Sequence, residues 1–263
     1  MSHASGAARA DSQFTPTGIL AWDTNVSPSQ IGRGKSVSFV YPAYNEEESI
    51  ALAVRRAREA AELVSLDEFE IIVVDDGSAD GTWKVLEDLR ATEPNLRPIR
   101  HERNQGYAAA LRTGFTSARL PLVFYSDSDN QFDLREIRYL LPLTETHDIV
   151  TGFRIYRFDP LSRLVLSWGF NLLVRIIFRI PVRDIDCAFK FFRRGVFEKV
   201  TIESQRFFVD TEILAKAKAL GMTMTEIGVR HYPRLAGRST VRPSHIFYTL
   251  GELAKIWRKI YLP

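Results

Sequence analysis

The chain has 263 residues, long enough for one sizeable α/β core or two small ones. Apolar residues make up 45% and charged residues 25%, which excludes a disordered or collagen-like chain, and the single cysteine, Cys187, excludes an internal disulfide and makes the cytoplasm the expected compartment. The net charge of +3 is unevenly spread: Arg154–Arg194 carries nine Lys/Arg against three Asp, and Gly228–Pro263 carries seven against one Glu, so the second half is expected to meet an anion.

Residues 1–35 are rich in Ser, Ala, Gly and Thr, show no sustained period, and are expected to form a mobile tail with Ile19-Leu20-Ala21-Trp22 as its docking candidate. No apolar run of roughly 7–15 residues follows a basic start, so no secretory signal is expected. From Ser36 the pattern alternates. Val37–Tyr41 predicts a strand ended by Pro42, Glu47–Val64 a helix, and Glu70–Val74 a buried parallel strand. Gly81–Arg90 predicts a helix, Leu96–His101 a strand, Gly106–Ala118 a helix and Leu122–Tyr125 a strand. This alternation predicts a doubly wound, mostly parallel sheet flanked by helices, in which ligands bind beyond the carboxyl ends of the strands. Residues 36–243 are expected to form that domain.

The apolar stretch from Leu161 to Val182 is broken by Arg163, Asn171, Arg175 and Arg179. A membrane span needs about 20 apolar residues, so this stretch is expected to be buried or interfacial. Residues 244–263 predict an amphipathic helix with Ile246, Leu250, Leu253, Trp257 and Ile260 on one face and Lys255, Arg258 and Lys259 toward the other. That face either packs on the domain or rests on a membrane.

Three polar clusters follow predicted strands. Asp127 and Asp129, two residues apart, can approach one hard cation such as Mg²⁺ or Mn²⁺, with Gln131 as a neutral oxygen from the same loop. A metal there would neutralise charge on a departing diphosphate. Asp75-Asp76-Gly77-Ser78 ends the second strand; its carboxylates can accept bonds from a base or a ribose, while Ser78 and Asp80 read equally as helix caps. Pro42-Ala43-Tyr44-Asn45-Glu46 closes the first strand, where Tyr44 either stacks on a base or fills a crevice.

Together these clusters resemble the family 2 glycosyltransferases of the GT-A fold. The matching text is Pro42-Ala43-Tyr44-Asn45-Glu46, Val74 through Thr82, Asn104-Gln105-Gly106-Tyr107, and Asp127 through Gln131. Within that family the chain is similar to the polyprenyl-phosphate glycosyltransferases, the group that includes dolichol-phosphate mannosyltransferase. Three segments carry this likeness. They are Gly152-Phe153-Arg154, then Asp184 with Cys187-Ala188-Phe189-Lys190-Phe191-Phe192-Arg193 (Ala188 standing where glycine is usual), and Arg234 through Gly237-Arg238-Ser239. A further departure is Asn130-Gln131-Phe132, where the group reads Leu-Gln-His.

The resemblance implies that Pro42, Ala43, Tyr44, Glu46, Asp75, Asp76 and Gly106 hold the nucleotide-sugar donor, and that Asp127, Asp129 and Gln131 hold Mg²⁺ or Mn²⁺. It implies inversion by in-line displacement, with Asp184, or Asp186 in its place, at the catalytic carboxylate position. Arg154, Arg234, Arg238 and Ser239 would hold the phosphate of a polyprenyl phosphate acceptor, with Arg157 as a further candidate. The chain would then rest peripherally on the cytoplasmic face of a membrane. A soluble hydroxyl acceptor is the alternative. A nucleotidyltransferase is disfavoured by Glu46-Glu47-Glu48 at the place of a phosphate loop. A non-catalytic binding protein would not need both Asp127 and Asp129. Nucleic-acid binding ranks last, because the basic residues lie among apolar segments.

Overall fold

The computed structural model describes residues 27–155, 161–204, 208–233 and 246–262. Seven strands form one sheet: β1 Ser36–Ala43, β2 Glu68–Asp75, β3 Leu96–Arg100, β4 Leu122–Ser126, β5 Ile149–Arg154, β6 Phe189–Arg193 and β7 Met224–Val229. Their order is β3-β2-β1-β4-β6-β5-β7. The helices are α1 Pro28–Ile31, α2 Ile50–Val64, α3 Thr82–Arg90, α4 Tyr107–Ser117, α5 Ile137–Leu140, α6 Leu161–Phe178, α7 Gly195–Lys199, α8 Val209–Ala219 and α9 Ile246–Tyr261. The expected doubly wound, mostly parallel sheet is the one observed.

The central strands β1, β2 and β4 read as nearly unbroken β-branched and aromatic runs because helices cover both of their faces. α2 turns Ala53, Val54, Ala57, Ala60, Ala61 and Val64 inward. α4 lies close to β1 because Gly114 carries no side chain: a Cβ there would stand 2.4 Å from Val40 Cγ1. The predicted boundaries hold to within two residues, except at α2. It starts at Ile50 rather than Glu47, because residues 46–49 form a turn in which Ser49 Oγ donates to the Glu46 carboxylate.

Strands β1 to β4 are mutually parallel, β6 runs antiparallel to both β4 and β5, and β7 is parallel to β5. The register pairs Ser126 with Phe189, so the chain enters β6 at the edge where β4 leaves. The segments after β1, β2, β3, β4, β5 and β7 and the one before β6 therefore gather at a single edge of the sheet. A recess of about 300 Å³ between Lys35, Leu122, Glu145 and Arg193 lies at the opposite edge. There Lys35 pairs with Glu145 and Arg193 bonds the Thr144 and Glu145 carbonyls, so the recess offers no chemistry of its own.

The C-terminal α9 packs against α6 and α8, turning Leu253 and Ile256 inward while Trp257 stays partly exposed. Its Lys255 and Lys259 pair with Glu252 and Glu203. The side chains of Ile246 and Leu250 lie outside the described residues. The open apolar surface is instead on α6, where Val165, Leu166, Trp168 and Ile176 are exposed. No helix among the described residues is long and apolar enough to cross a membrane.

Candidate active site

The loops after β1 and β2 are laced together by the residues of their motifs. Asn45, at φ 56°, donates its N–H to Ser78 Oγ, and its side-chain oxygen accepts from the Ala79 N–H. The Glu46 N–H donates to Thr82 Oγ1, and Glu47 accepts from the Gly81 N–H. Ser78 and Asp80 thus tie loops together, and neither is the N-cap of α3, which is Gly81; Asp80 also accepts from the Thr82 N–H at the first residue of that helix. Gly77 has φ +67°, and a Cβ on it would fall 2.5–2.7 Å from the backbone of Arg103 and Asn104, so no side chain fits there.

Asp75 and Asp76 point in different directions and have different surroundings. Asp76 is filled: Oδ1 accepts from the Gln105 N–H at 2.9 Å and faces His101 Nδ1 at 2.7 Å, and Oδ2 accepts from the Gly106 N–H at 2.7 Å. It clamps the entry to α4, with Gly106 at φ 96° in the position only glycine adopts readily. Asp75 is fully buried; Oδ1 accepts from the Ser78 N–H, while Oδ2 has no hydrogen-bond partner among the described residues. The nearest cation to Oδ2 is Arg100, its Nε 3.4 Å away and its guanidinium lying over the Trp83 ring. Asp75 Oδ2 thus has this ion pair and no hydrogen bond, and is closed to solvent, whereas both oxygens of Asp76 are hydrogen-bonded. Tyr44 stands about half exposed beside this edge, and Pro42 and Ala43 end β1 in register with Val74 and Asp75.

The loop after β4 is held from three sides. Ser128 Oγ donates to the Pro42 carbonyl, Asn130 Nδ2 donates to the Ser49 carbonyl, and Arg56 donates to the Asn130 carbonyl. Asn130 takes φ 60°, which turns the chain so that Asp127 and Asp129 stay on the sheet edge. Asp129 Oδ1 accepts from the Gln131 N–H, and Gln131 Nε2 donates to the Tyr232 carbonyl, leaving the amide oxygen turned the other way. Asp127 accepts from the Tyr107 hydroxyl at 2.9 Å. Burial, and then the charge of Asp129, push the Asp127 carboxyl up from its ordinary range. Two carboxylates held together with too little solvent between them fit a cation. Among the described residues no third His, Cys, Asp or Glu completes a cage. The donor set therefore suits a hard ion that fills its shell from water and phosphate, as Mg²⁺ and Mn²⁺ do.

Across the sheet, Arg154 at the end of β5 grips Asp184. Its Nε and Nη2 donate to the two carboxylate oxygens at 2.8 and 2.6 Å, and its N–H donates at 3.0 Å. Burial works against the Arg154 cation, but the bonds and charge of Asp184 outweigh it and hold the guanidinium firmly protonated. The α6 residue Asn171 accepts from the Ile185 N–H, tying the loop of Asp184 to that helix. Asp186 opens to solvent while ringed by protein; burial, then Asp210 and Asp184, raise its carboxyl.

The edge thus brings together Pro42, Ala43, Tyr44, Glu46, Asp75, Asp76, Gly106, Asp127, Asp129 and Gln131 from the donor-side expectation, and Arg154, Asp184 and Asp186 from the acceptor side. Arg157, Arg234, Arg238 and Ser239 lie outside the described residues. Sequence reasoning did not single out His101 and Arg100 beside the two acids, nor the buried Tyr125, Lys190 and Asp210. A lysine in the apolar run Phe189–Arg193 was the available signal, since a charge there must have a partner.

A mostly parallel sheet with one reversed strand and carboxylates at its ligand-binding edge defines a GT-A enzyme scaffold. The model of the family described as Glycosyl transferase family 2 matches residues 38–201, and the chain belongs to that family. It is 34% identical over 211 residues to Glycosyltransferase AglD of Haloferax volcanii, covering 76% of this chain and 34% of that protein. It is 32% identical over 208 residues to an undecaprenyl-phosphate 4-deoxy-4-formamido-L-arabinose transferase of Yersinia enterocolitica, covering 78% and 62%. The chain thus spans about a third of the first relative and less than two thirds of the second. Among solved structures it resembles glucosyl-3-phosphoglycerate synthase of Mycobacterium tuberculosis in complex with Mn²⁺, UDP-glucose and phosphoglyceric acid. The TM-score is 0.65 at 19% identity, over 91% of this chain and 85% of that one.

Proposed function

We propose that the chain is an inverting, divalent-metal-dependent glycosyltransferase that moves a sugar from a UDP- or GDP-sugar to the phosphate of a polyprenyl phosphate. The donor's base would meet Asp75 and Arg100 beside Tyr44, with Pro42, Ala43, Glu46 and Gly106 shaping the crevice. Asp76 supports it from behind. Asp127, Asp129 and Gln131 would hold Mg²⁺ or Mn²⁺, which when bound supplies positive charge to the leaving diphosphate. An acceptor oxygen attacks the anomeric carbon from the face opposite the nucleotide, the bond from that carbon to the diphosphate oxygen breaks, and the nucleoside diphosphate departs.

The observation that carries the phosphate acceptor is the fork of Arg154 on Asp184. A carboxylate so gripped is a poor proton acceptor, and an acceptor phosphate, already ionised near neutral pH, needs none. Asp184 would orient and Arg154 would lend charge to the incoming phosphate, joined by Arg234, Arg238 and Ser239. The relative that bears undecaprenyl-phosphate in its name, and the apolar face of α6 tied through Asn171 to the Asp184 loop, support the same choice. That face would rest peripherally on the cytoplasmic side of a membrane. A second reading has one observation in its favour: Asp186, with its raised carboxyl, suits a general base for a sugar or protein hydroxyl.

The test is a panel of UDP- and GDP-sugars with Mg²⁺ or Mn²⁺, scored for transfer to polyprenyl phosphate, for transfer to hydroxyl acceptors, and for hydrolysis. Transfer to the lipid phosphate is expected. Transfer only to a hydroxyl would replace this reading with the second.

A further inference from the structure

A continuous file of buried polar groups runs beneath the site. Lys190, fully buried on β6, donates to Asp210 Oδ1 at 2.7 Å and to the carbonyl of Cys187. Asp210 Oδ2 accepts from the Tyr125 hydroxyl at 3.2 Å. The Tyr125 and Tyr107 hydroxyls lie 2.6 Å apart and the Tyr107 hydroxyl lies 2.9 Å from Asp127; the two phenol protons are shared among these contacts and the one to Asp210. Tyr125 and Lys190 are register partners across the β4–β6 pairing, and the ammonium also lies 5.5 Å from the Tyr125 ring centre. The file joins the Asp127 loop on the donor side to the Cys187 carbonyl, one residue from Asp186 and three from Asp184 on the acceptor side.

Stability alone is a weak reason for such a file. Removing a lysine and an aspartate from water costs more than their attraction reliably returns, and well-packed apolar residues often serve a core equally well. Buried polar networks do fix geometry. The seam this file crosses, β4 against β6, is one of the two antiparallel pairings of the sheet, so the relative placement of the two loops has no parallel pairing to fix it there.

We propose that Lys190, Asp210, Tyr125 and Tyr107 are positioning residues that fix the Asp127 carboxylate relative to the Asp184–Asp186 loop, and so set the line along which acceptor and donor meet. The proposal rests on the reading of Asp127 as a metal-holding carboxylate.

The experiment uses the full chain with Tyr107→Phe, Tyr125→Phe, the paired replacement Lys190→Met with Asp210→Leu, and Asp127→Ala as the reference. The paired replacement leaves no buried charge alone. Three quantities are read: the thermal midpoint, Mn²⁺ affinity by electron paramagnetic resonance without donor, and kcat and KM separately for donor and acceptor. Folded tyrosine variants are expected to bind Mn²⁺ about 10–100-fold more weakly, the range seen when outer groups that orient metal ligands are lost. kcat should fall about tenfold or more with little change in donor KM. Tyr125→Phe added to the paired replacement should add little, because both cut the same file. Wild-type Mn²⁺ affinity and kcat in Tyr107→Phe and Tyr125→Phe would overturn the proposal, whether or not the paired variant folds. Losses that simply multiply would overturn it too. Asp127→Ala separates the two levels: if it leaves Mn²⁺ binding and transfer intact, the metal reading of the loop fails; if it is inactive while the tyrosine variants are normal, only the positioning role fails.

Discussion

Arg154 and Asp184 stand 30 residues apart and share a two-pronged ion pair, both side chains mostly buried. Neither is free in the sense the sequence suggests, since each satisfies the other. Arg154→Ala would leave a buried carboxylate alone, which costs about 3–5 kcal/mol. A clear fall in thermal midpoint is expected along with a raised KM for polyprenyl phosphate. Asp184→Asn should cost a modest factor in kcat with a phosphate acceptor, read by steady-state kinetics. A loss of several powers of ten would mark Asp184 as a true base.

The two acids at the end of β2 should separate cleanly. Asp76→Ala strands the Gln105 and Gly106 N–H groups and His101, and unmet buried donors cost about 1–3 kcal/mol each. Chemical denaturation should show that loss. Asp75→Asn should change stability less and weaken UDP or GDP binding more, by calorimetry.

For the metal loop, Asp129→Asn should leave the fold intact, because Ser128 and Asn130 carry the loop's anchoring bonds. Transfer should fall by more than the roughly 10–100-fold that loss of a mere outer-group bond costs. Excess EDTA should match it in the unaltered protein, and full activity in either arm would remove the metal from the mechanism.

Asp186 gives a pH signature. Its carboxyl is raised from 3.8 toward about 7 by the protein packed around it and by Asp210 and Asp184, against the opposing charges of Arg154 and Lys190, and the solvent that reaches the side chain damps this rise. A folded-state value above the unfolded one means the folded state holds the extra proton. Its favourable effect is therefore present at low pH and is lost as pH rises from about 4 through about 7. The thermal midpoint of Asp186→Asn should exceed that of the unaltered protein at pH 8 and converge with it near pH 4.

On α6, Trp168 and Ile176 are each about two-thirds exposed. Replacing both by Glu should leave the thermal midpoint unchanged and reduce co-sedimentation with anionic vesicles. Removing residues 246–263, by contrast, should lower the midpoint, because Leu253 and Ile256 are packed.

Strands β1, β2 and β4 were readable because each is a short, largely apolar run closed by a turn, β3 because it stands between two helical segments, and the edge with its carboxylates followed from parallel winding. The reversal at β6 was not readable. Phe189–Arg193 carries no period that tells antiparallel from parallel, and direction is fixed by pairing with β4 and β5. The difference between Asp75 and Asp76 was partly legible, since adjacent residues at a strand end point to opposite faces. What the opposite face held, the Gln105 and Gly106 amides, was not. The Arg154–Asp184 pair joins two elements that meet only across the sheet, and no local spacing records it.

The reversed strand has a consequence for how such an enzyme can change. Because β6 enters at the ligand edge and leaves at the far one, the chain between β5 and β6, residues 155–188, begins and ends on the same rim. It therefore forms a cassette that leaves from Arg154 and returns through Asp184 on that one rim. On the proposed reading, lengthening or exchanging that cassette would redraw what the sugar is delivered to, while the winding of β1 to β4 stays as it is.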